Sequence, residues 1–436
     1  MVSGSPRWIR FGMNFFILFV SLCHVTSTLD FQYHNYQDLT NYLTNMSNKY
    51  PDLTHLYSVG KSVQNRDLFV LAIGKLPQNH LTLRPHVKYV GNMHGNEAVG
   101  REMLLHLIDY YLTNYYVNST IKTFLDNTVV HIMPSMNPDG FEVSTEGDCF
   151  GVQGRPNTNN YDLNRNFPGY FEVNKAPIQP ETNAVMDWLK QHRFILSANL
   201  HGGAMVANYP FDNYVNGSII GQTRYVKSHD DDTFIHLSKV YSYSHANMYT
   251  GRHCNDNFPD GITNGALWYP VLGGMQDYNY VREGCFEITL EIGCCKYPPT
   301  SELTTFWSYN KYALINFLMA VHSGVKGLVR TPNNTEVVGY DMAVKGRQIL
   351  FKSSQYGEYW RLLRPGRHTI QVLSEGKVIA EKQVQVPDNG VVREDIYIGD
   401  TSSASVIQSC LPFVISLISI CLHCPLFCSV RNIKTV

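Results

Sequence analysis

The sequence predicts an α/β domain with a mixed, largely parallel central sheet flanked by helices, followed by a small antiparallel β-sandwich. Three observations carry this. From Leu29 to about His322, strand-like and helix-like segments alternate, as they do where crossover helices join parallel strands. After Gly324 the helical period vanishes, and short alternating stretches separated by turns replace it. The chain has 436 residues, 44% hydrophobic and 16% charged, enough for two units that each bury a core.

The elements follow in order. Leu68–Ile73 and His86–Val90 read as strands, rich in β-branched and apolar residues. Val99, Met103, Leu104, Leu107, Ile108 and Tyr111 recur near 3.6 spacing and predict a helix. Thr128–Met133 is a further strand, closed by the turn Asn137-Pro138-Asp139-Gly140. Thr182–Trp188 reads as a helix, and Phe194–Leu200 and Cys285–Leu290 as strands. In such sheets ligands collect at the C-terminal ends of strands. Thr369–Leu373 and Lys382–Val386 alternate as sandwich strands, with turns at Arg364-Pro365-Gly366 and Pro387-Asp388-Asn389-Gly390. The acidic run Asp230-Asp231-Asp232 reads as a solvated loop that adds long-range attraction for cations.

The two ends speak of export. Arg7 and Arg10 precede the apolar run Phe15–Leu22 and the small polar stretch Thr26-Ser27-Thr28, the layout of a secretory signal with the mature chain starting near Leu29. An uncleaved signal anchor is the other reading of that segment. Val406–Val430 is mostly apolar and follows the small residues Thr401-Ser402-Ser403-Ala404, the pattern of a GPI attachment signal. Pro412 and Pro425 interrupt the run and Arg431 and Lys434 close it, so a single transmembrane helix with a basic cytoplasmic end also fits. The expected layout is therefore a signal over 1–28, an α/β domain over 29–322, a sandwich over 323–400 and an anchor signal over 401–436. Sequons at Asn45, Asn118, Asn216 and Asn333 suit an oxidising lumen. So do the cysteines. Between the ends lie Cys149, Cys254, Cys285, Cys294 and Cys295. Vicinal Cys294 and Cys295 are poorly placed to bridge each other, so the economical pairing joins them to Cys149 and Cys254 and leaves Cys285 a buried thiol. The formal net charge of −1 offers no basic field, and no nucleic-acid motif is present, which excludes nucleic-acid binding.

The chemistry concentrates in a few segments. His94-Gly95-Asn96-Glu97 follows a strand and opens a helix, and His201-Gly202-Gly203 follows another strand far along the chain. Two His and one Glu can hold a catalytic zinc and leave one position open. A close pair plus one distant ligand ties two strand ends together. A His and a Glu three residues apart are, taken alone, more often polar surface.

Four ordered segments, Asn92–Glu97, Asp162–Pro168, Asn199–Gly203 and Phe286–Glu291, resemble the signatures of the M14 metallocarboxypeptidases, most of all their regulatory (N/E) branch. The likeness covers nearly the whole chain, and the sandwich resembles that branch's transthyretin-like domain. It implies one Zn2+ per chain on His94, Glu97 and His201, with Glu291 as general base and acid. It implies that Asn164 and Arg165 grip the free terminal carboxylate of a substrate, a task suited to a guanidinium fork. Arg155 would stabilise the oxyanion, and Tyr269 would close over the bound chain. Asp212 and Gln276 match the specificity positions of the branch and imply a preference for C-terminal Arg or Lys. The implied partners are peptides and proteins ending in those residues, and a membrane reached through a lipid anchor. The alternatives are an inactive binding protein on the same fold and a different zinc hydrolase, such as an N-acyl amidase.

Overall fold

The computed structural model describes Met1 and residues 29–399, apart from 332, 334 and 336–338. The signal and anchor segments read from the sequence lie outside the described residues. Among the described residues no helix is long and apolar enough to cross a membrane.

Eight strands form the central sheet: β1 (Thr54–Lys61), β2 (Asp67–Ile73), β3 (His86–Gly91), β4 (Val129–Met133), β5 (Phe194–His201), β6 (Ala204–Tyr209), β7 (Ile262–Asn264) and β8 (Phe286–Gly293). Their spatial order is β1-β2-β4-β3-β5-β8-β6-β7. The pairs β3–β4, β3–β5, β5–β8 and β6–β7 are parallel, and antiparallel pairs flank this centre.

Alternation along β3 explains how the sheet is covered. Val87 and Tyr89 pack in one apolar layer with the helices Val99–Asn114 and Leu303–Met319. Tyr89 donates its hydroxyl hydrogen to the Leu314 carbonyl at 2.8 Å, which satisfies the polar tip of a buried ring. Val90 faces the other way, into a layer with Val185, Trp188 and Leu189 of the helix Pro180–Gln191. Lys88 shares that face and is fully buried. In register across β3, β5 and β8 it meets Ser197 and Glu287, and its ammonium donates to both at 2.7 and 2.6 Å. The helix expected over Thr182–Trp188 is longer at both ends, because Pro180 suits its first turn. The turn expected at Asn137–Gly140 is the start of a short helix, Pro138–Glu142, capped by Asn137 Oδ1 accepting from Gly140 N.

The C-terminal unit has two sheets. One runs in the order β11-β10-β13-β14, from β10 (Asp341–Val344), β11 (Phe351–Lys352), β13 (Gly366–Ser374) and β14 (Lys377–Val386). The other holds β9 (Gly324–Arg330), β12 (Glu358–Arg361), β15 (Val391–Arg393) and β16 (Ile396–Tyr397). Val325, Val329, Tyr359, Ile370, Val372 and Val384 fill the space between. The sandwich is not wholly antiparallel: β15 and β16 both run parallel to β9, because the chain returns along it after β14.

Asp230 corrects the sequence reading of its acidic run. It is fully buried, not solvated. Arg347 of the sandwich donates to its Oδ1 at 2.5 Å, Arg361 of β12 donates to Oδ2, and Tyr280 donates to Oδ2 at 2.7 Å. Charge pairing outweighs burial and holds this carboxyl below its usual range. Asp231 is buried too, and among the three only Asp232 keeps a half-exposed side chain.

Candidate metal centre and cleft

His94 and Glu97 sit on the loop that leaves β3. Asn92, at φ +54°, closes that loop by donating from its amide to the carbonyls of His94, Gly95 and Glu97 at 2.9–3.3 Å. Ser135 in turn donates to Asn92 Oδ1 at 2.8 Å. Gly95 is required by space: a Cβ there would stand 2.2 Å from the backbone of Gly140. His201 is the last residue of β5, directly opposite Glu291 of β8 in the parallel register.

These elements bring three donor atoms together. Glu97 Oε1 lies 2.9 Å from His94 Nδ1, Glu97 Oε2 lies 2.7 Å from His201 Nδ1, and the two ring nitrogens are 3.1 Å apart. All three residues are buried. Burial alone would raise the Glu97 carboxyl, but the two imidazoles outweigh it and hold it well below the usual range, so it is an anion. The far nitrogens of both rings are spoken for. His94 Nε2 faces Asp162 Oδ1 at 2.8 Å. His201 Nε2 lies 2.7 Å from the Asn199 amide, whose oxygen is otherwise unpartnered, so the amide oriented with Oδ1 toward the ring satisfies both groups. Each ring then carries its hydrogen on Nε2 and turns a lone pair on Nδ1 inward. A buried carboxylate with two inward lone pairs is the donor set of a zinc site, and the residues fit that ion.

The cleft over this centre has a volume of about 170 Å³ and is lined by Arg155, Asn164, Arg165, Tyr269, Glu291 and Lys296 besides the triad. Glu291 is buried, with Oε2 unpartnered. Burial and the nearby Glu97 push its carboxyl well above the usual range, against the pull of Arg155, Lys296 and Arg165. Arg155 donates to Glu97 Oε1 at 2.8 Å and to Asp162 Oδ2 at 3.1 Å. Asn164 accepts from Met275 N at 3.0 Å, and Arg165 donates to the Asn164 carbonyl at 3.0 Å. Tyr269 stands at the lip, 41% exposed, with its ring edge-on to Trp268 at 4.8 Å between centroids.

Asp212 and Gln276 lie deeper. The Gln276 amide donates to Asp212 Oδ1 at 2.9 Å, Asn208 donates to the same oxygen at 3.2 Å, and the backbone N–H of Asp212 donates to Asp277. Gln276 Oε1 is buried and has no partner. Gly274 joins this wall to the cleft: a Cβ there would lie 3.2 Å from Asp212 Oδ2 and 3.6 Å from Asn164 Oδ1. Burial pushes the Asp212 carboxyl up to about 7, against the Asn208 hydrogen bond and the charge of Arg165.

The structure thus gathers His94, Glu97, His201, Arg155, Asn164, Arg165, Tyr269 and Glu291 around one cleft and places Asp212 and Gln276 behind Gly274, outside that lining. Four that sequence reasoning gave no role complete the site: Asp162, Asn199, Lys296 and Asp277. Asn199 had a signal, since it shares a face of β5 with His201 at a spacing of two. Asp162 immediately precedes the Leu163–Arg165 turn, and its Oδ1 accepts from Asn164 N at 2.9 Å. One of the two disulfides ends at Cys295, next to Lys296 of the cleft lining. Cys149 bonds to Cys295 and Cys254 to Cys294, and Cys285 is a buried thiol. Among the sequons, Asn45, Asn216 and Asn333 are exposed, while Asn118 is half-buried and caps a helix with its side-chain oxygen.

Residues 39–313 match the family model described as zinc carboxypeptidase. The chain is 48% identical to carboxypeptidase M of Mus musculus over 361 residues, 81% of each chain. It is 45% identical to carboxypeptidase D of Homo sapiens over 383 residues, which are 86% of this chain and 27% of that one. Among solved structures, thrombin-activatable fibrinolysis inhibitor shares the fold with a TM-score of 0.54 at 18% identity, over 68% of this chain and 76% of that one.

Proposed function

The chain belongs to the zinc carboxypeptidase family, and from that premise we propose that it removes C-terminal Arg or Lys from extracellular peptides and proteins at the cell surface. The observation that supports the basic preference is the buried wall of Asp212 and Gln276, with a carboxylate and an orphaned amide oxygen set one residue's breadth behind the carboxylate clamp. A guanidinium or ammonium would balance the Asp212 charge and give Gln276 Oε1 a donor, whereas an apolar side chain leaves the charge without a counterion and the amide oxygen without a partner.

In this reading Asn164 and Arg165 bind the substrate's terminal carboxylate, which restricts the site to chain ends. His94, Glu97 and His201 would hold the zinc, which when bound would supply Lewis-acid polarisation of the scissile carbonyl and a more acidic attacking water. Glu291, buried with Oε2 unpartnered beside the triad, is placed to take a proton from the attacking water and deliver it to the leaving amine. Arg155 leaves Glu97 to meet the developing oxyanion. Asp162 and Asn199 hold the two imidazoles in orientation.

The test compares kcat/KM for matched peptides ending in Arg, Lys or Leu on wild type and Asp212→Ala. Losing a partly buried charge pair costs on the order of 2–4 kcal/mol, so Arg and Lys substrates should lose roughly 30- to 1000-fold while Leu changes little. Equal losses on Arg and Leu would make Asp212 a loop support. A zinc-loaded protein that cleaves none of these peptides would instead be a binding protein on this fold.

The surface location rests on the two terminal segments and the sequons. A secretory signal over 1–28 and a GPI signal over 401–436 give a lipid-anchored ectoenzyme, and phospholipase C should release it from cells. Recovery of peptides from Arg431–Val436 in the mature surface protein would favour a transmembrane tail.

A further inference from the structure

A second histidine cluster stands at the other end of β3, about 17 Å along the strand from the loop that carries His94 and Glu97. His86 opens β3, His131 lies on the neighbouring β4, and His192 caps the helix Pro180–Gln191 just before β5. His86 and His131 project from one face of the sheet, since His131 is in register with Lys88 and His86 lies two residues away. His86 Nδ1 is 2.8 Å from His131 Nε2, and one ring nitrogen from each of the three residues lies within 4.8 Å of the others.

The environment prepares these rings. Trp188 donates to the Tyr57 hydroxyl at 2.8 Å, and that hydroxyl lies 2.7 Å from His131 Nδ1. His131 is thereby held through one nitrogen and presents the other to His86. Burial first, and the neighbouring imidazoles second, push His86 to about 3 and His131 well below the usual histidine range. Both are neutral at physiological pH, and an ion seated between them would displace the hydrogen that His86 Nδ1 and His131 Nε2 share. The C-terminal end of a 12-residue helix brings its partial negative charge to His192. Arg84, His55 and His80 are the nearby groups that oppose a cation, and Arg84 is engaged with the carbonyls of Lys75, Leu76 and Asn79. His86 and His192 are partly exposed, whereas His131 is buried.

We propose that His86, His131 and His192 form a second metal site, for a divalent ion of the zinc or copper class, at the end of the central strands remote from the cleft. No described carboxylate hydrogen-bonds to any of the three rings, which excludes calcium and magnesium and selects ions that favour imidazole. Two nitrogens on one zinc stand about 3.3 Å apart when each is about 2.0–2.1 Å from the ion. The His86–His131 pair is already near that separation, and a ring nitrogen of the partly exposed His192 lies within 4.8 Å of both. A bound ion ties β3, β4 and the start of β5 together.

The experiment uses the intact mature enzyme. After equilibration with excess zinc at pH 7.5 and desalting, mass spectrometry should find two zinc ions per chain in wild type. His192→Ala and His86→Gln should each hold one, with peptidase activity unchanged. Copper(II) added to enzyme holding a single zinc should give an electron paramagnetic resonance spectrum with splitting from three nitrogens, reduced to two in His192→Ala. His192 lies outside the Tyr57 chain, so its variant stands even where His86→Gln fails to fold. A single zinc in wild type under excess metal, a second zinc retained in His192→Ala after desalting, or an unchanged three-nitrogen copper spectrum in that variant overturns the site.

Discussion

Glu291 and His201 face each other on adjacent strands, yet substitutions at the two should fail in different ways. Glu291→Gln keeps size and hydrogen bonding and removes proton transfer. Turnover should fall by about 10²–10⁴-fold while zinc content and binding of a substrate-like inhibitor persist. His201→Ala should lose zinc and activity together, because two donors hold the ion weakly, and stoichiometric zinc in that variant would sink the ligand assignment. Asp212 adds a pH signature. Its carboxyl, raised to about 7 in the empty pocket, is mostly protonated below that pH and ionised above it. A cationic side chain binds the ionised form, so kcat/KM for Arg-ending peptides should rise about tenfold per pH unit up to near 7 and then level. Leu-ending peptides lack this dependence, and the Arg-to-Leu ratio across pH isolates it. A flat ratio would remove Asp212 from substrate reading. These residues were legible because their motifs are local. Asp277 was not, since its meaning lies in accepting a backbone N–H from a residue 65 positions away.

The strands and helices that position the site were mostly visible as periods of two and 3.6. Periodicity failed where a polar residue sits inside an apolar element. Lys88 interrupts an otherwise apolar strand and would ordinarily be assigned to a surface. It is buried because Ser197 and Glu287 stand in register with it on two further strands, a fact that no single strand contains. Lys88→Met leaves Glu287 as an unpaired buried charge, which should cost about 3–5 kcal/mol. The double variant Lys88→Met, Glu287→Leu should recover most of that loss in urea unfolding. If the single variant is as stable as wild type, the pair contributes nothing to the sheet. The parallel return of β15 and β16 along β9 was likewise invisible, because a strand of two or three residues has no period to read.

The two units of the molecule meet at Asp230, and there the sequence misled outright. Three consecutive aspartates resemble a solvated loop, and only the arginines contributed by the sandwich, more than a hundred residues later, turn the first of them inward. Asp230→Ala should destabilise the whole chain by about 3–5 kcal/mol, seen as one lowered unfolding transition. Two separated transitions in wild type would show that the units unfold independently. The disulfides bear on the practical question of where such a protein is made. Cys294 and Cys295 follow β8 and staple two separate loops, one reaching Cys149 and the other Cys254, while the zinc triad sits on strand ends and a loop closed by Asn92. Protein produced in a reducing cytosol should therefore still take up its metal, yet arrive with those two loops unfastened. Its fault would show as a raised KM, and oxidative refolding of the finished chain should repair it.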